Sequence, residues 1–306
     1  MSSTVLVGGG GWQYFIVPGK DRLHTYSLAF DFVEVNSSFY RKIPLSQATS
    51  WRRRVRPGFI FTVKCHQAVT HVHRLQPTDS AVDAFNHSIK ICKTLNAPLL
   101  VVETPPTLKL TPFIVKQFFS SVRTEGVRVG LEIRGPASSD VLTAMQDLNI
   151  IHVTDLSRET PKYFDEEITY SRLFGKGVHN MYMFDDDEIR EISRKADESS
   201  SKKVLLSFHG LRMYVDAARI KVFREKGVMA PVTRETGIDS VKAALADAVF
   251  PATKHELETR HGWKLFDLTV ETRVRLASIL SNIPDQTYTS LDNLLETIKL
   301  QLLTTR

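Results

Sequence analysis

Eight short runs of apolar and β-branched residues recur through the first 208 positions of this 306-residue chain, with stretches of helical periodicity between them. The runs are Thr4–Gly8, Phe32–Asn36, Phe59–Cys65, Leu99–Glu103, Val127–Ile133, Ile150–Thr154, Ile168–Phe174 and Val204–Phe208. Most lack the polar alternation of a half-exposed strand, so they read as strands covered on both faces. Ser80–Leu95, Pro112–Thr124, Ser138–Asp147, Asp187–Lys195 and Val215–Lys226 read as helices. Connections of this length suit right-handed crossovers between parallel strands. The fold class expected is α/β, a compact TIM-like (β/α)₈ barrel. A doubly wound sheet is the alternative, but no GxGxxG opens a helix after the first run.

The pattern then changes. Lys226–Gly237 carries two glycines and a proline and reads as a linker. Beyond it, Ser240–Ala248, Thr253–Arg260, Val270–Leu280 and Leu291–Leu302 have helical periodicity, with Thr253, Asp267–Thr269 and Ser290 as candidate starts. The domains expected are a barrel over residues 1–229 and a small α-helical accessory domain over 236–306.

Cys65 and Cys92 form no CxxC and are too few for a disulfide framework. No apolar run approaches the ~18 residues of a membrane span. The start MSSTVLVGGGGW lacks the basic region of a signal peptide. A cytoplasmic location away from any membrane follows as the expectation. The net charge of +6 divides unevenly: 231–306 hold 9 basic and 10 acidic residues, leaving 31 basic and 24 acidic, net +7, for 1–230. That excess suits an anionic partner, a small molecule or a nucleic acid.

Barrels of this class bind ligands at the C-terminal ends of their strands. Strand two delivers Glu34 and Asn36, with Tyr40 just beyond. Strand three delivers Lys64 and His66, then Thr70, His71 and His73. Strand four ends in Glu103, strand five in Glu132 and Arg134, and strand six at Asp155. Strand seven carries Tyr170 and Arg172, and strand eight runs into His209. Residues two apart share a strand face, so the inward set would form a polar cup. Buried charges are costly unless paired. A purely structural salt-bridge network therefore competes with a ligand site for each residue, while the whole set favours a site.

Gly8–Gly11, before Trp12 and Tyr14, is either a tight turn under a packed tryptophan or a backbone cradle for an anion. Arg52, Arg53, Arg54 and Arg56 after Trp51 read as a solvated helix end, with a phosphate-contacting patch as the alternative. His66, His71 and His73, joined by Glu132, Asp155 or His209, would suit a divalent metal, but H-x4-H-x-H matches no tight motif. The site is therefore assigned no metal ligand, and its cofactor stays open.

Residues up to about 225 resemble the YecE-like family, domain of unknown function 72. The likeness rests on Gly9-Gly10-Gly11-Trp12-Gln13-Tyr14 and on Tyr26–Tyr40, above all Val33-Glu34-Val35-Asn36-Ser37-Ser38-Phe39-Tyr40. Trp51, Pro57, Phe59, Phe61, Lys64, Thr70 and His71 extend it, as do Pro105-Pro106, Leu131-Glu132-Ile133-Arg134, Asp155 and Tyr170–Gly175. The resemblance implies a TIM-like barrel with a polar pocket at the strand ends and no established reaction. Four departures stand out. Gly10 replaces the usual serine and Glu103 a glutamine. Phe174 replaces a histidine, and Phe208-His209 an Asn-Asn pair. The tail's Phe250–Lys254 and Ile283–Ser290 resemble the small helical domain of unknown function 2795.

Three functions are weighed. In the first, the barrel is a hydrolase or lyase for an anionic, phosphate-bearing ligand. Glu34 or Glu132 is then the base, His66 or His71 the acid, and Asp155 orients a partner. Lys64, Arg134 and Arg172 hold anionic oxygens, and Trp12, Tyr14, Asn36, Tyr40, Tyr170 and His209 shape the pocket. In the second, the basic barrel binds nucleic acid, in one version as a metal-assisted endonuclease. In the third, the pocket is vestigial and the chain is a non-catalytic interaction protein.

Overall fold

The computed structural model describes residues 3–178 and 180–304. Eight parallel strands form one sheet: β1 (Thr4–Gly9), β2 (Phe32–Val35), β3 (Ile60–Lys64), β4 (Leu99–Glu103), β5 (Arg128–Glu132), β6 (Ile151–Val153), β7 (Ile168–Leu173) and β8 (Lys203–Phe208). Their order is β6-β5-β4-β3-β2-β1-β8-β7. A parallel bridge between Thr154 and Ser171 joins the two ends, and Arg172 N donates to Thr154 O at 3.0 Å. The result is a nearly closed barrel, as the eight runs predict.

Local chemistry sets the helix starts. Thr78 Oγ1 accepts from Ala81 N, Thr111 Oγ1 from Ile114 N, and Ser138 Oγ from Val141 N, each satisfying an otherwise orphaned first-turn amide. The helix Asp79–Leu95 buries Ala81, Ala84, Phe85, Ser88, Ile89, Cys92 and Leu95, the one-sided spacing of a core-facing helix. It stops at Asn96, whose left-handed backbone (φ 51°) lets its amide return to Cys92 O. Pro112–Ser120 ends before the expected Thr124, because Ser121 turns back onto Phe118 O through both its amide and its hydroxyl.

The barrel's lower interior is apolar. Phe32, Leu99, Val101, Ile151, Val153, Ile168, Tyr170 and Leu205 pack together, with Leu6 and Ile60 against them. Fully burying one such aliphatic or aromatic side chain stabilises by about 1.5–3 kcal/mol. Their parity fixes what lies above them: two residues on from Phe32, Val101 and Tyr170 come Glu34, Glu103 and Arg172.

The chain divides into two compact units. One is Met1–Leu173 with Arg194–His209 and holds all eight barrel strands; the other is Phe174–Ser193 with Gly210–Arg306. The second unit has its own core, with Leu257, Phe266, Leu276, Leu280, Tyr288 and Ile298 fully buried within it. It is not all-helical. β9 (Ala252–Thr253) pairs with β12 (Thr287–Tyr288), and β10 (Leu265–Asp267) with β11 (Arg273–Arg275), both antiparallel. The helix expected over Val270–Leu280 is thus replaced by a strand and a short helix, Ala277–Leu280. Thr269 Oγ1 accepts from the amides of Glu271 and Thr272, making a side-chain turn that competes with helix. The expected linker is also pinned. Buried Asp267 accepts from Val232 N at 3.0 Å and from Thr233 N at 2.8 Å.

Candidate functional site at the barrel mouth

The C-terminal ends of the strands carry a buried charge cluster centred on Arg172 of β7. Its guanidinium meets Glu34 of β2 as a fork, Nε to Oε2 at 3.1 Å and Nη2 to Oε1 at 3.0 Å. Nη1 donates to Glu103 of β4 at 2.5 Å and also to Glu132 of β5. Arg172 is 1% exposed and Glu34 fully buried. Burial alone would weaken the guanidinium's hold on its proton, but Glu132, Glu34 and Glu103 outweigh that and lock the charge in.

Glu103 and Glu132 are register partners on neighbouring strands. Two carboxylates side by side repel, and the cations between them resolve this. Glu103 Oε2 receives Arg172, Lys64 Nζ at 2.8 Å and Arg134 Nη2 at 3.2 Å. Burial pushes the Glu103 carboxyl up, but Arg172, Lys64 and Arg134 together bring it down to about 2. Arg134 Nε also reaches Glu132 Oε1 at 3.2 Å. Three carboxylates and three cations therefore balance, which makes the mouth a neutral cup and no cationic patch.

Two histidines flank the cluster, both shifted toward neutrality by burial. His209 is driven well down by burial and then by Arg172, Lys64 and Arg134. Its Nε2 lies 2.9 Å from Ser207 Oγ and 3.7 Å from Glu34 Oε2. His71 is lowered by burial and nearby cations against the pull of Glu103. Its Nδ1 is 2.9 Å from Thr70 Oγ1, and its Nε2 is 4.0 Å from Glu103 Oε1. Phe39 forms a wall here: the Lys64 ammonium sits 4.0 Å from its ring centroid and the His71 ring 4.9 Å, edge-on. Tyr170 OH donates to Glu34 Oε2 at 2.9 Å and meets Thr62 Oγ1 at 3.0 Å. Burial and Glu34 raise that phenol well above its usual range.

Exposure falls steeply from rim to floor. The side chains of Arg134 and His71 are 33% and 29% exposed, Glu132 13%, Glu103 9% and Lys64 6%. Asn36, at the end of β2, holds a buried Oδ1 with no hydrogen-bond partner among the described residues. An unsatisfied buried acceptor is rare and costly, and it marks a place for a donor.

Of the residues expected at the site, the contacts unite Glu34, Lys64, His71, Glu132, Arg134, Tyr170, Arg172 and His209. Others make contacts of their own. Trp12 packs edge-on against Trp51, 5.1 Å between centroids. Tyr14 and Tyr40 are largely exposed, Tyr40 resting on Phe39. His66 Nδ1 accepts from Ala68 N, closing the turn after β3. Asp155 Oδ1 accepts from the amide and hydroxyl of Ser157, closing the turn after β6. Glu103, expected at the end of strand four but not named as a catalytic or binding candidate, is the carboxylate on which three cations converge. Its signal lay in the parity of Leu99, Val101 and Glu103.

Among the described residues no group of three or more His, Cys, Asp or Glu side chains stands ready for a metal. The three mouth glutamates instead converge on a guanidinium. The arginine run closes the helix Leu45–Arg54, with Arg53 and Arg54 exposed as a solvated end and Arg52 and Arg56 half-buried. Arg52 donates to Phe59 O at 2.8 Å and lies over the Phe61 ring, Arg54 pairs with Asp21, and Arg56 donates to Ser27 O at 2.7 Å. The glycine run serves close packing. A Cβ on Gly8 would fall 2.1 Å from Phe32 O, and one on Gly10 2.3 Å from His209 Nδ1. Gly10 N is committed to Phe208 O at 2.9 Å.

An eight-stranded parallel barrel whose strand ends hold interlocked acids and bases defines a TIM-barrel protein. The chain belongs to the family described as protein of unknown function DUF72, whose profile matches residues 7–225. Two solved DUF72 structures share the fold. One, from Enterococcus faecalis V583, is 13% identical, with a TM-score of 0.58 over 74% of this chain and 98% of that one. Another, from Thermotoga maritima MSB8, is 16% identical, with a TM-score of 0.57 over 73% of this chain and 100% of that one. No curated protein matches the sequence. Among the described residues no helix is long and apolar enough to cross a membrane.

Proposed function

We propose that the barrel mouth is an acid–base active site of hydrolase or lyase type, acting on a small polar ligand with an anionic group. The gradient of exposure carries this reading. Glu34, Tyr170 and Arg172 form a sealed floor that fixes geometry, while Arg134, Glu132 and His71 face outward. Arg134 presents its guanidinium to the ligand's anionic oxygens. Glu132, held by two arginines, acts as base, and His71, neutral at pH 7, relays the proton. Glu34 is then a positioning residue, because its oxygens already serve Arg172 and Tyr170. Asn36 Oδ1 accepts a ligand hydroxyl or amide. The buried thiols Cys65 and Cys92, the first raised to about 12 by burial, support a reducing, cytoplasmic setting.

A thermal-shift panel of small phosphate and carboxylate esters tests it. A ligand that stabilises wild type should lose its effect in Arg134→Ala. Its turnover should fall by ~100-fold or more in Glu132→Gln, with the protein still folded. A panel with no such ligand sinks the reading. Each mouth charge has an internal partner, which also suits a non-catalytic, vestigial pocket. A ligand bound but never turned over, alike in wild type and Glu132→Gln, would decide for that alternative.

A further inference from the structure

The second unit holds a cavity of about 390 Å³, within the size range of small-molecule sites. Its wall is divided by chemistry. Met183, Val215, Val232 and Leu265 supply apolar surface, and Arg212, Arg234, Glu235 and Lys264 supply the charges. Lys264 is 2% exposed. Its ammonium donates to Ala244 O at 3.0 Å, meets His261 Nδ1 at 2.8 Å and pairs with Asp247. Asp247 is shared further, with Arg212 at 3.8 Å and His261 Nδ1 at 3.8 Å.

The charge does not cancel. His261 is pushed down to about 4 by burial and by Lys264, so it is neutral at pH 7. Among the described residues, Arg212, Arg234 and Lys264 then meet Asp247 and Glu235, three positive against two negative, while Asp267 behind Val232 and Thr233 is matched by Arg273. The Lys264 ammonium has three hydrogens and three partners, so it sets the local field without donating to a ligand. Arg212 shares one carboxylate at long range. Arg234 is exposed, with no ion-pair partner among the described residues. Two guanidiniums therefore retain donors beside an apolar wall.

We infer that this cavity is a second binding site, for a small organic anion: a compact apolar body bearing a carboxylate or phosphate. The apolar wall takes the body, and Arg212 and Arg234 take the anionic oxygens in a forked contact. Inorganic phosphate satisfies only half of the site, and an uncharged aromatic alcohol only the other half. The inference rests on the second unit's own residues and stands whether or not the barrel mouth is catalytic.

Isothermal titration of the full chain with phenyl phosphate, inorganic phosphate and benzyl alcohol tests this. Phenyl phosphate should bind saturably and more tightly than either of the others. Its affinity should fall about tenfold or more in Arg234→Ala, the loss of one charge-assisted contact. It should vanish in Ala243→Trp, which fills the cavity from an exposed helix position and is checked for an unchanged melting temperature. Arg134→Ala, at the barrel mouth, should leave this binding intact. Binding lost in Arg134→Ala but kept in Ala243→Trp would assign the anion to the mouth and overturn the inference. So would the absence of saturable binding, or binding indifferent to all three substitutions.

Discussion

Arg172 shows how one residue organises a site. A guanidinium buried among three carboxylates keeps its charge because their combined attraction outweighs its loss of water. Gly10 and His209 show the complementary point. Both depart from the family pattern, and in space they are one departure, because a Cβ on Gly10 would collide with the imidazole. Gly10→Ser alone should therefore destabilise by about 1–3 kcal/mol. The double substitution Gly10→Ser, His209→Asn should recover most of that loss, read as a coupling energy in urea denaturation. Simple additivity would refute the pairing. His152 offers a test by pH. Its Nδ1 accepts from Lys162 N at 3.1 Å, and burial lowers it to about 4. The unfolded chain takes up this proton first as pH falls from about 6.5. The contribution is thus whole above 6.5 and lost towards 4, up to about 3 kcal/mol. His152→Asn should flatten that slope in denaturation curves at pH 7, 5.5 and 4.5, and an unaltered slope would discount it.

At the scale of elements, strands and caps were legible where local chemistry and burial agree. β4 falls on Leu99–Glu103 as read, because five consecutive apolar or terminal-acid residues bounded by Pro98 and Pro105 admit little else. Thr253 was legible as a helix start, and it forms a reciprocal capping box with Glu256. Thr253→Ala should cost about 1 kcal/mol, seen as a lower denaturation midpoint, and Thr253→Asp should restore it. The helix expected over Val270–Leu280 gives way to a strand and a short helix for an equally local reason. Its apolar spacing fits a helix, but the Thr269 turn and the pairing of Arg273–Arg275 with Leu265–Asp267 outweigh propensity. Parity along strands located most of the mouth. It could not separate Asp155 and His66, which close turns, from Glu132 and His71, which join the cluster, because that choice is made in the loops.

For the whole molecule, the sequence boundary near residue 229 and the division in space differ. Phe174–Ser193 and Gly210–Lys226 follow barrel strands in the chain, yet they cluster with the tail. Within that unit, Asp186 pairs with Arg219 and with Arg273 at 2.9 Å, and Leu265 N meets Met183 Sδ at 3.4 Å. A fragment ending at residue 229 keeps Arg219 but loses Arg273 and Leu265, the partners of Asp186 and Met183. It should aggregate or melt well below the full chain in calorimetry, whereas equal stability would make 229 a true domain boundary.

The sequence by itself determined the barrel, its strand ends and most of the charged residues gathered there, because alternation and burial are written in runs of neighbours. It also located the basic excess in the first 230 residues. Only the tertiary structure decided that those charges neutralise one another around Arg172, that Glu103 is their hub, and that Arg52 and Arg56 donate to backbone carbonyls. Those outcomes depend on which side chains meet across strands far apart in the chain, and pairing energies in a low-dielectric interior are set by ångström distances that no local pattern encodes.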